Sequence, residues 1–262
     1  MTLAEQFAAL KSRNEAALIL FVTAGDPDLA ELPAILETLQ AAGADAIEIG
    51  IPFTDPIADG PTIQASSQRA LDRGVTPDAV LEALGKATLT VPVVLMGYMN
   101  PVLRMGYDVF CQRAKAAGAS AVIMCDLIPE EGADWMAAAE RNAIDTVFLA
   151  APTSTPDRLD LVAQSSRGFV YAVSRTGVTG KGSGEQDPEA LVSALQARTQ
   201  VPVCVGFGVR TPEDVARISR YADGAIVGSS LVDMLAAGWQ GGAGREAVSD
   251  YVRGLKAATR RG

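Results

Sequence analysis

Two carboxylates stand close together in an otherwise apolar part of the chain. Glu48 lies within the apolar run 46–51, and Asp59 follows in a loop rich in proline, glycine and aspartate. Successive side chains of a strand alternate between its two faces, so Glu48 is expected to point away from Ile47 and Ile49. Burial of an unpaired carboxyl group raises its pKa towards neutrality. The pair is therefore a candidate for acid/base catalysis.

Each carboxylate also has a purely structural interpretation. Glu48 could be satisfied by a partner that is distant in sequence. Asp59 precedes Gly60 and Pro61, and an aspartate at this position is typical of a helix N-cap followed by proline in the first turn. The sequence leaves these interpretations open for either residue taken alone, whereas the two residues together form a plausible acid/base pair.

Glycines cluster where the last three predicted strands end. They occur in the segments 174–184, 206–208 and 228–230. Glycine allows a backbone to approach a ligand closely, and a helix that begins at Gly228 would direct its N-terminal N–H groups at an anion. Each segment alone could be an ordinary tight turn, but the three together predict a phosphate site. The long, glycine-rich segment 175–187 is also expected to act as a lid.

The chain of 262 residues contains no histidine. This excludes Ser-His and Cys-His catalytic triads and every histidine metal site, and it disfavours a zinc-dependent aldolase. A Schiff-base lyase would need a lysine at a strand end, and the nearest candidate is Lys181 in the glycine-rich segment. We therefore expect no metal, and we expect acid/base chemistry without a covalent intermediate.

The bulk composition indicates a soluble protein without a nucleic-acid partner. The net charge is −9 and the pI is about 4.6, so an anionic substrate would have to be held by local dipoles and backbone N–H groups. The odd number of cysteines, Cys111, Cys125 and Cys204, indicates reduced thiols. No apolar run reaches membrane-spanning length, and the first residues lack the features of a signal peptide. We expect a cytoplasmic protein that does not associate with membranes.

Eight apolar, strand-like segments alternate with helical segments. The predicted strands are 17–22, the Glu48 segment, 91–96, 121–125, 146–149, 168–173, 201–205 and 225–227. This alternation predicts a single (β/α)₈ TIM barrel over residues 1–262, with an extra N-terminal helix at 2–13 and a short phosphate-binding helix after the eighth strand. Helices are also expected to open at Asp26 and to run from Thr76 to about Thr90.

An open, doubly wound sheet is the alternative architecture, but no G-x-G-x-x-G motif follows an early strand. Active sites of TIM barrels lie where the strands run into the following loops. Glu48 is near the end of the second strand and Asp59 is in the loop after it, so the barrel interpretation places both on the functional face.

Two segments, 48–64 and 174–180, resemble the alpha subunits of tryptophan synthase, and the likeness extends over essentially the whole chain. The resemblance implies cleavage of indole-3-glycerol phosphate into indole and glyceraldehyde 3-phosphate in tryptophan biosynthesis. It further implies that indole passes to a beta subunit, which carries pyridoxal phosphate and joins indole to serine in an alpha2-beta2 heterotetramer. This chain itself is then expected to hold no cofactor.

The resemblance also implies a role for individual residues. Glu48 and Asp59 match the two catalytic carboxylates of the family. The positions that match its phosphate-binding backbone are Gly180, Phe207, Gly208, Gly228 and Ser229. Those that match the indole pocket or the closing loop are Phe21, Met96, Tyr171 and Thr179, of which Met96 could equally be barrel core. Those that match the partner interface are Pro52, Phe53, Asp55, Asn100 and Pro101; the apolar stretch 98–103 could also be a plain loop after a strand.

A mechanism follows if the indole ring acts as the electron sink. Protonation of ring carbon C3, with the ring N–H stabilised, would allow the bond to the glycerol chain to break. We hypothesise that Asp59 accepts or stabilises the ring N–H, while Glu48 shuttles protons between C3 and the glycerol hydroxyl.

Three alternatives remain. One is a phosphate-binding barrel that is an isomerase or another synthase of the same pathway, which would be expected to use a lysine or cysteine near the strand ends. Another is a stand-alone indole-3-glycerol phosphate lyase. The third, a non-catalytic activator of a beta subunit, is disfavoured by the presence of both carboxylates.

Overall fold

The strands form a single parallel sheet that curls into a nearly closed barrel. The computed structural model describes residues 1–174 and 188–261. Within these ranges the spatial order of the strands is β5-β4-β3-β2-β1-β9-β8-β7-β6. The strands are β1 Ala17–Thr23, β2 Ala46–Gly50, β3 Val93–Gly97, β4 Ala119–Met124, β5 Asp145–Val147, β6 Leu149–Ala150, β7 Val170–Val173, β8 Val203–Gly206 and β9 Gly224–Val227. The predicted TIM barrel is confirmed, and the open doubly wound sheet is wrong.

The fifth predicted strand, 146–149, is divided into β5 and β6. The first part pairs with β4 and the second with β7. Between them, the Phe148 carbonyl accepts a hydrogen bond of 3.0 Å from the Tyr171 N–H. The strand thus changes neighbours halfway along its length and joins the two ends of the sheet. A continuous apolar run cannot reveal this change, because both halves are equally buried in the barrel.

Two strands begin later than their apolar segments predicted. The segments 91–96 and 201–205 both open with Val-Pro, and the strands start only after the proline, at Val93 and Val203. Proline has no N–H to give to a sheet. The prolines still contribute their carbonyl groups, since Pro92 accepts from the Ile47 N–H and Pro202 accepts from the Val170 N–H.

Helices surround the sheet. They are α1 Leu3–Ser12, α2 Leu32–Ala42, α3 Pro61–Asp72, α4 Pro77–Leu84, α5 Met99–Met105, α6 Tyr107–Ala116, α7 Ala133–Arg141, α8 Pro156–Ser165, α9 Pro188–Gln196, α10 Pro212–Ser219, α11 Ser229–Gly238 and α12 Arg245–Ala257. Three of them begin with a Thr-Pro pair, in which the threonine side chain accepts a backbone N–H and proline occupies the first turn. Among the described residues, no helix is long and apolar enough to cross a membrane.

Two helices differ from their expected bounds. The helix predicted to open at Asp26 begins at Leu32, after a 3₁₀ turn that Asp28 caps by accepting the Ala30 N–H. The helix predicted to reach about Thr90 ends at Leu84.

Side chains of α2 explain the second difference. Glu37 accepts the N–H of Thr88, and Gln40 accepts the N–H groups of Thr90 and Val91. These three backbone N–H groups are therefore satisfied without helical hydrogen bonds.

The sheet separates two apolar cores. Ile47 and Ile49 belong to the core between the sheet and the helices. Ile19 and Val94 belong to the core inside the barrel. Because Glu48 alternates with Ile47 and Ile49 along β2, its side chain points into the barrel, as the alternation predicted. The predicted N-terminal helix is present as α1, and its apolar residues join the inner core.

Candidate active site

Glu48 is fully enclosed by the barrel. Its residue has 0% exposure, and β2 holds it between Phe21 of β1 and Val94 of β3 in the sheet register. Neither of its carboxyl oxygens has a hydrogen-bond partner among the described residues. Burial raises the pKa of Glu48 to about 8. The upward pKa shift expected from the sequence is therefore present, and its cause is loss of hydration without compensation by a cation.

Asp59 lies in the loop after β2 and is 9% exposed. The N-cap of α3 is Gly60, and no side chain caps this helix, so the interpretation of Asp59 as a capping residue is wrong. Burial raises the pKa of Asp59 to about 6, although a hydrogen bond with the Tyr98 side chain opposes the rise. Helix capping therefore does not explain why the Asp59 carboxyl group is buried.

The two carboxyl groups differ in protonation near neutral pH. With a pKa of about 8, Glu48 is mostly protonated at pH 7, whereas Asp59, with a pKa of about 6, is mostly ionised. Titratable groups whose surroundings separate their pKa values in this way are suited to opposite roles in proton transfer. The site therefore offers a proton donor and a negatively charged acceptor at the same pH.

Polar contacts from the middle and the last turn of α3, the helix that follows Asp59, hold this helix in place. The hydroxyl groups of Thr23 and Ser66 are 2.6 Å apart and share a hydrogen bond between β1 and α3. Arg69 of α3 donates two hydrogen bonds, of 2.8 and 2.6 Å, to the buried carboxylate of Asp26. Such paired bonds between guanidinium and carboxylate are strong and directional. They fix α3 against the loop that follows β1.

A cavity of about 200 Å³ opens at the carboxyl ends of the strands, next to both carboxylates. Its mostly apolar lining with a few polar groups is typical of a small-molecule site. The predicted site residues that line it are Phe21, Glu48, Asp59, Met96, Tyr171, Phe207, Gly208, Gly228 and Ser229. Met96 lines the cavity and is also buried in the inner core, and its role in an indole pocket stays a prediction. Gly180 and Thr179, together with Lys181 and the proposed lid 175–187, lie outside the described residues.

Two aromatic side chains that line the cavity pack against glycines. A side-chain carbon on Gly50 would overlap the Phe21 ring, and one on Gly206 would overlap the Tyr171 ring. Glycine at these strand ends therefore makes room for the two rings, and a larger residue would displace them from the cavity wall.

The far end of the cavity has the features expected of a phosphate site. Phe207 has φ of 69° and Gly208 has φ of 83°, so two successive residues after β8 adopt left-handed conformations. For Phe207 this is strained, and such strain clusters at functional sites. Ser174 donates a hydrogen bond to the Phe207 carbonyl and supports this turn. Across the cavity, α11 begins at Ser229 with Gly228 as its N-cap, and its free N–H groups suit an anion.

Sequence reasoning missed the role of three residues near these groups. Tyr98 accepts the Ala58 N–H at 3.1 Å and interacts with Asp59. Tyr251 of α12 donates a 2.6 Å hydrogen bond to the Arg210 carbonyl, and Arg210 lines the cavity. Tyr98 had been noted only for its apolar neighbourhood. Nothing local to Tyr251 distinguishes it from an ordinary partly buried helix residue, and for Arg210 the only available signal was its place just after Gly208.

The residues expected at a partner interface lie beside the loop that carries Asp59, and all of them except Pro52 reach the protein surface. The Phe53 ring stacks on Tyr98 with centroids 5.0 Å apart. Asp55 and Asn100 are exposed and Pro101 is partly exposed, whereas Pro52 is buried.

Two apolar side chains dominate this surface. Ile57, which lies in the loop after β2, is 77% exposed, and Leu103 is 57% exposed. Residues 99–103 belong to the helix α5 and Tyr98 is its N-cap, so the interpretation of this stretch as a plain loop is wrong. An apolar surface of this kind, beside the active-site loop, suits contact with another protein.

Within the described residues, no group of three or more cysteine, aspartate or glutamate side chains could hold a metal ion.

Sequence comparison identifies relatives over almost the full chain. The family model described as "Tryptophan synthase alpha chain" matches residues 7–260. A tryptophan synthase alpha chain from Geobacter sulfurreducens is 46% identical over 259 residues, and the alignment covers 98% of both chains. Another from Synechococcus sp. (strain CC9902) is 47% identical over 250 residues, covering 94% of this chain and 93% of the relative.

Solved structures agree with these matches. A structure of Mycobacterium tuberculosis tryptophan synthase superposes with a TM-score of 0.91 at 40% identity, covering 99% of this chain and 98% of the other. The crystal structure of tryptophan synthase subunit alpha from Legionella pneumophila has a TM-score of 0.89 at 31% identity, with coverage of 99% and 98%.

Proposed function

The chain belongs to the tryptophan synthase alpha chain family, and from this premise we propose that it cleaves indole-3-glycerol phosphate into indole and glyceraldehyde 3-phosphate. The chain has the alpha-subunit role in tryptophan biosynthesis. The proposed reaction is a carbon–carbon lyase step that proceeds by proton transfer, without a metal or a Schiff base.

One observation carries the proposal: a protonated Glu48 and an ionised Asp59 line the same cavity, whose other end has the features of a phosphate site. The apolar walls between the two ends include Phe21, Met96 and Tyr171, which suit a flat aromatic ring. A substrate with an indole ring at one end and a phosphate at the other matches this arrangement.

Each carboxyl group has a role that fits its protonation state. The Asp59 carboxylate accepts the indole N–H and stabilises the positive charge that develops on the ring when C3 is protonated. The Glu48 carboxyl group donates the proton to C3. Its carboxylate then takes the proton of the glycerol hydroxyl as the bond between C3 and the glycerol chain breaks, which forms the aldehyde and restores the indole ring. Glu48 ends the cycle protonated, so the step needs no external acid.

The remaining site residues belong to the same proposal. Backbone groups of Gly180, Phe207, Gly208, Gly228 and Ser229 would hold the phosphate, and Thr179 would contribute to closure of the site. The N-terminal turn of α11 supports this role, because its N–H groups and helix dipole favour an anion.

The proposal extends to the assembly. We infer that the chain pairs with a beta subunit in an alpha2-beta2 heterotetramer, that pyridoxal phosphate is carried by the beta subunit, and that residues 1–262 form one domain. The surface formed by Phe53, Asp55, Asn100 and Pro101 would face the partner. A cytoplasmic location is supported by the thiols of Cys111, Cys125 and Cys204, which are all free.

The test is indole release from indole-3-glycerol phosphate by the purified chain, with and without a cognate pyridoxal-phosphate beta subunit. We expect slow release alone and faster release with the partner. Glu48→Gln should lower kcat by roughly 10²–10⁴-fold, because the amide cannot carry a proton between C3 and the hydroxyl. Glu82→Gln on the exposed face of α4 is the matched control and should behave as the wild type.

The possible outcomes separate the alternatives. Fast release that the partner does not change would indicate a stand-alone lyase. No release in either case would contradict the catalytic proposal. Near-normal turnover of Glu48→Gln would exclude Glu48 as the proton shuttle while leaving the lyase activity in place.

A further inference from the structure

We propose that the guanidinium group of Arg210 binds the substrate phosphate and supplies a positive charge that the other described residues lining the cavity lack. The inference rests on the proposed function, since it assigns a further residue to the phosphate end of the same site. The sequence alone predicted that local dipoles and backbone N–H groups hold the anion; the inference adds a charged side chain to these groups.

The position of Arg210 carries the first part of the inference. Its side chain lines the cavity, next to the strained turn formed by Phe207 and Gly208. The Arg210 Nη2 atom lies 3.4 Å from the hydroxyl oxygen of Ser229, which is the first residue of α11. The guanidinium group is thus at the helix terminus where an anion is expected.

The backbone of Arg210 is held from both sides. Its N–H donates to the Asp214 carboxylate at 3.0 Å. Its carbonyl accepts the Tyr251 hydroxyl at 2.6 Å, and the Tyr251 hydroxyl oxygen lies 2.7 Å from the Ser230 hydroxyl. These contacts connect the turn after β8 to the first turn of α11 through a residue of α12. Arg210 is therefore presented to the cavity by a fixed backbone.

The charges around the cavity carry the second part. Among the described residues that line it, Arg210 is the only cation, and Glu48 and Asp59 are the only carboxylates. The nearby carboxylate of Asp214 accepts backbone N–H groups with one oxygen and faces Arg217 with the other. No described carboxylate lies within ion-pair distance of the Arg210 guanidinium group.

A guanidinium group without a carboxylate partner among the described residues can bind a phosphate at this place. A phosphate monoester carries close to two negative charges at neutral pH, and the net charge of the chain is −9. A guanidinium group forms paired, charge-assisted hydrogen bonds with phosphate. The phosphate is remote from the bond that breaks, so Arg210 binds the ground state and the transition state about equally. Its loss should raise KM and leave kcat nearly unchanged.

The experiment compares Arg210→Gln with Arg253→Gln, which removes the same charge from an exposed position on α12. We expect Arg210→Gln to raise KM for indole-3-glycerol phosphate by about 10-fold, with kcat within about twofold of the wild type. The inhibition constants of glycerol 3-phosphate and inorganic phosphate should rise by a similar factor. Arg253→Gln should change none of these values.

Two further measurements are specific to a charge contact. Raising the ionic strength should weaken phosphate inhibition of the wild type more than that of Arg210→Gln, because salt screens the guanidinium charge. Arg210→Lys should restore part of the lost affinity, since it keeps the charge but not the paired donors.

The outcomes distinguish this inference from the proposed function. If the wild type cleaves the substrate and Arg210→Gln has an unchanged KM and unchanged inhibition by phosphate, the role of Arg210 is wrong and the lyase activity stands. If the wild type does not cleave the substrate, the proposed function fails. Calorimetric binding of inorganic phosphate to the wild type and Arg210→Gln then decides the role of Arg210 by itself: weaker binding to the variant supports it, and equal or absent binding overturns it.

Discussion

Glu48 is a buried acid that has neither a nearby cation nor a hydrogen-bond partner among the residues that the structure describes. Protein interiors normally satisfy such groups, because an unpaired buried polar group is costly. Asp59 differs, since Tyr98 interacts with its carboxyl group and partly opposes the effect of burial on its pKa. The different surroundings of two similar carboxyl groups thus separate their pKa values and their proposed roles.

The pH dependence of the reaction should report both pKa values. Catalysis by the proposed mechanism needs Asp59 ionised and Glu48 protonated. We therefore expect kcat/KM of the isolated chain to follow a bell-shaped curve that falls below pH about 6 and above pH about 8. A steady-state pH profile measures this. Activity that remains constant from pH 7 to pH 10 would contradict the assignment of Glu48 as the proton donor.

Glu48 should also destabilise the native state at alkaline pH. Its pKa rises from 4.5 to about 8 on folding, so the folded chain binds the proton more tightly than the unfolded chain. The resulting loss of stability begins above pH 4.5, grows until pH 8 and is then constant. Glu48→Gln removes it, and we expect the free energy of unfolding to increase by about 4 kcal/mol at pH 8.

Urea unfolding at pH 8 and at pH 4.5 measures this effect, with Glu82→Gln as the control. The gain from Glu48→Gln should be largest at pH 8 and small at pH 4.5. Equal stabilities of wild type and Glu48→Gln at pH 8 would show that Glu48 is not desolvated in the folded chain.

At the scale of elements, the active site depends on helices that contribute no reacting group. The middle and the last turn of α3 are fixed by the bond between Thr23 and Ser66 and by the Asp26–Arg69 pair. The start of α11 is connected to the turn after β8 through Tyr251. These contacts hold both helices next to the cavity, so the helices support the loop that carries Asp59 and the phosphate end of the site.

Tyr251→Phe tests the second of these connections. The change removes one hydroxyl group that connects Ser230 with the Arg210 carbonyl, at a net cost of about 1 kcal/mol. We expect the inhibition constant of glycerol 3-phosphate and KM to rise by roughly 3–10-fold, while kcat changes little. Steady-state kinetics measures both.

Tyr107→Phe is the matched control for Tyr251→Phe. Its hydroxyl group contacts Met99, away from the cavity, and its kinetics on the isolated chain should match the wild type. If Tyr251→Phe also matches the wild type, other contacts hold the turn after β8 against the first turn of α11.

At the scale of the whole molecule, the proposed partner surface lies against the catalytic loop. Phe53 stacks on Tyr98, and Tyr98 contacts both Ala58 and Asp59. A partner that contacts Phe53 on this surface is therefore linked to Asp59 through the buried Tyr98 side chain. This provides a physical route for activation, because a small movement of Tyr98 would change the position and the pKa of Asp59.

Leu103→Lys tests the surface without altering the cavity. Leu103 is 57% exposed on α5, and a charge there opposes burial by a partner at a cost of about 1–2 kcal/mol. We expect unchanged turnover of the isolated chain and about 10-fold weaker binding of the beta subunit, measured by titrating its activation. Leu161→Lys on α8, also an exposed leucine, should leave activation unchanged. Equal activation of both variants would place the interface elsewhere.

The sequence by itself determined the barrel, the face on which the site lies and the two carboxylates. These features depend on patterns among adjacent residues: apolar strands alternate with helices, Thr-Pro pairs begin helices, and Glu48 stands among residues that face the opposite way. Such patterns involve residues that are close together in sequence, so they can be recognised without knowledge of the rest of the fold. The division of the fifth strand and the late start after Pro92 are not visible in hydrophobicity alone.

Only the tertiary structure decided which groups surround the two carboxylates and the phosphate end. Tyr98 forms a hydrogen bond with Ala58, which is 40 residues away in sequence, and Tyr251 forms one with Arg210, which is 41 residues away. The pKa values of Glu48 and Asp59 likewise depend on how much water the closed barrel removes from each group. Desolvation and long-range hydrogen bonds are properties of the packed molecule, so no local pattern encodes them.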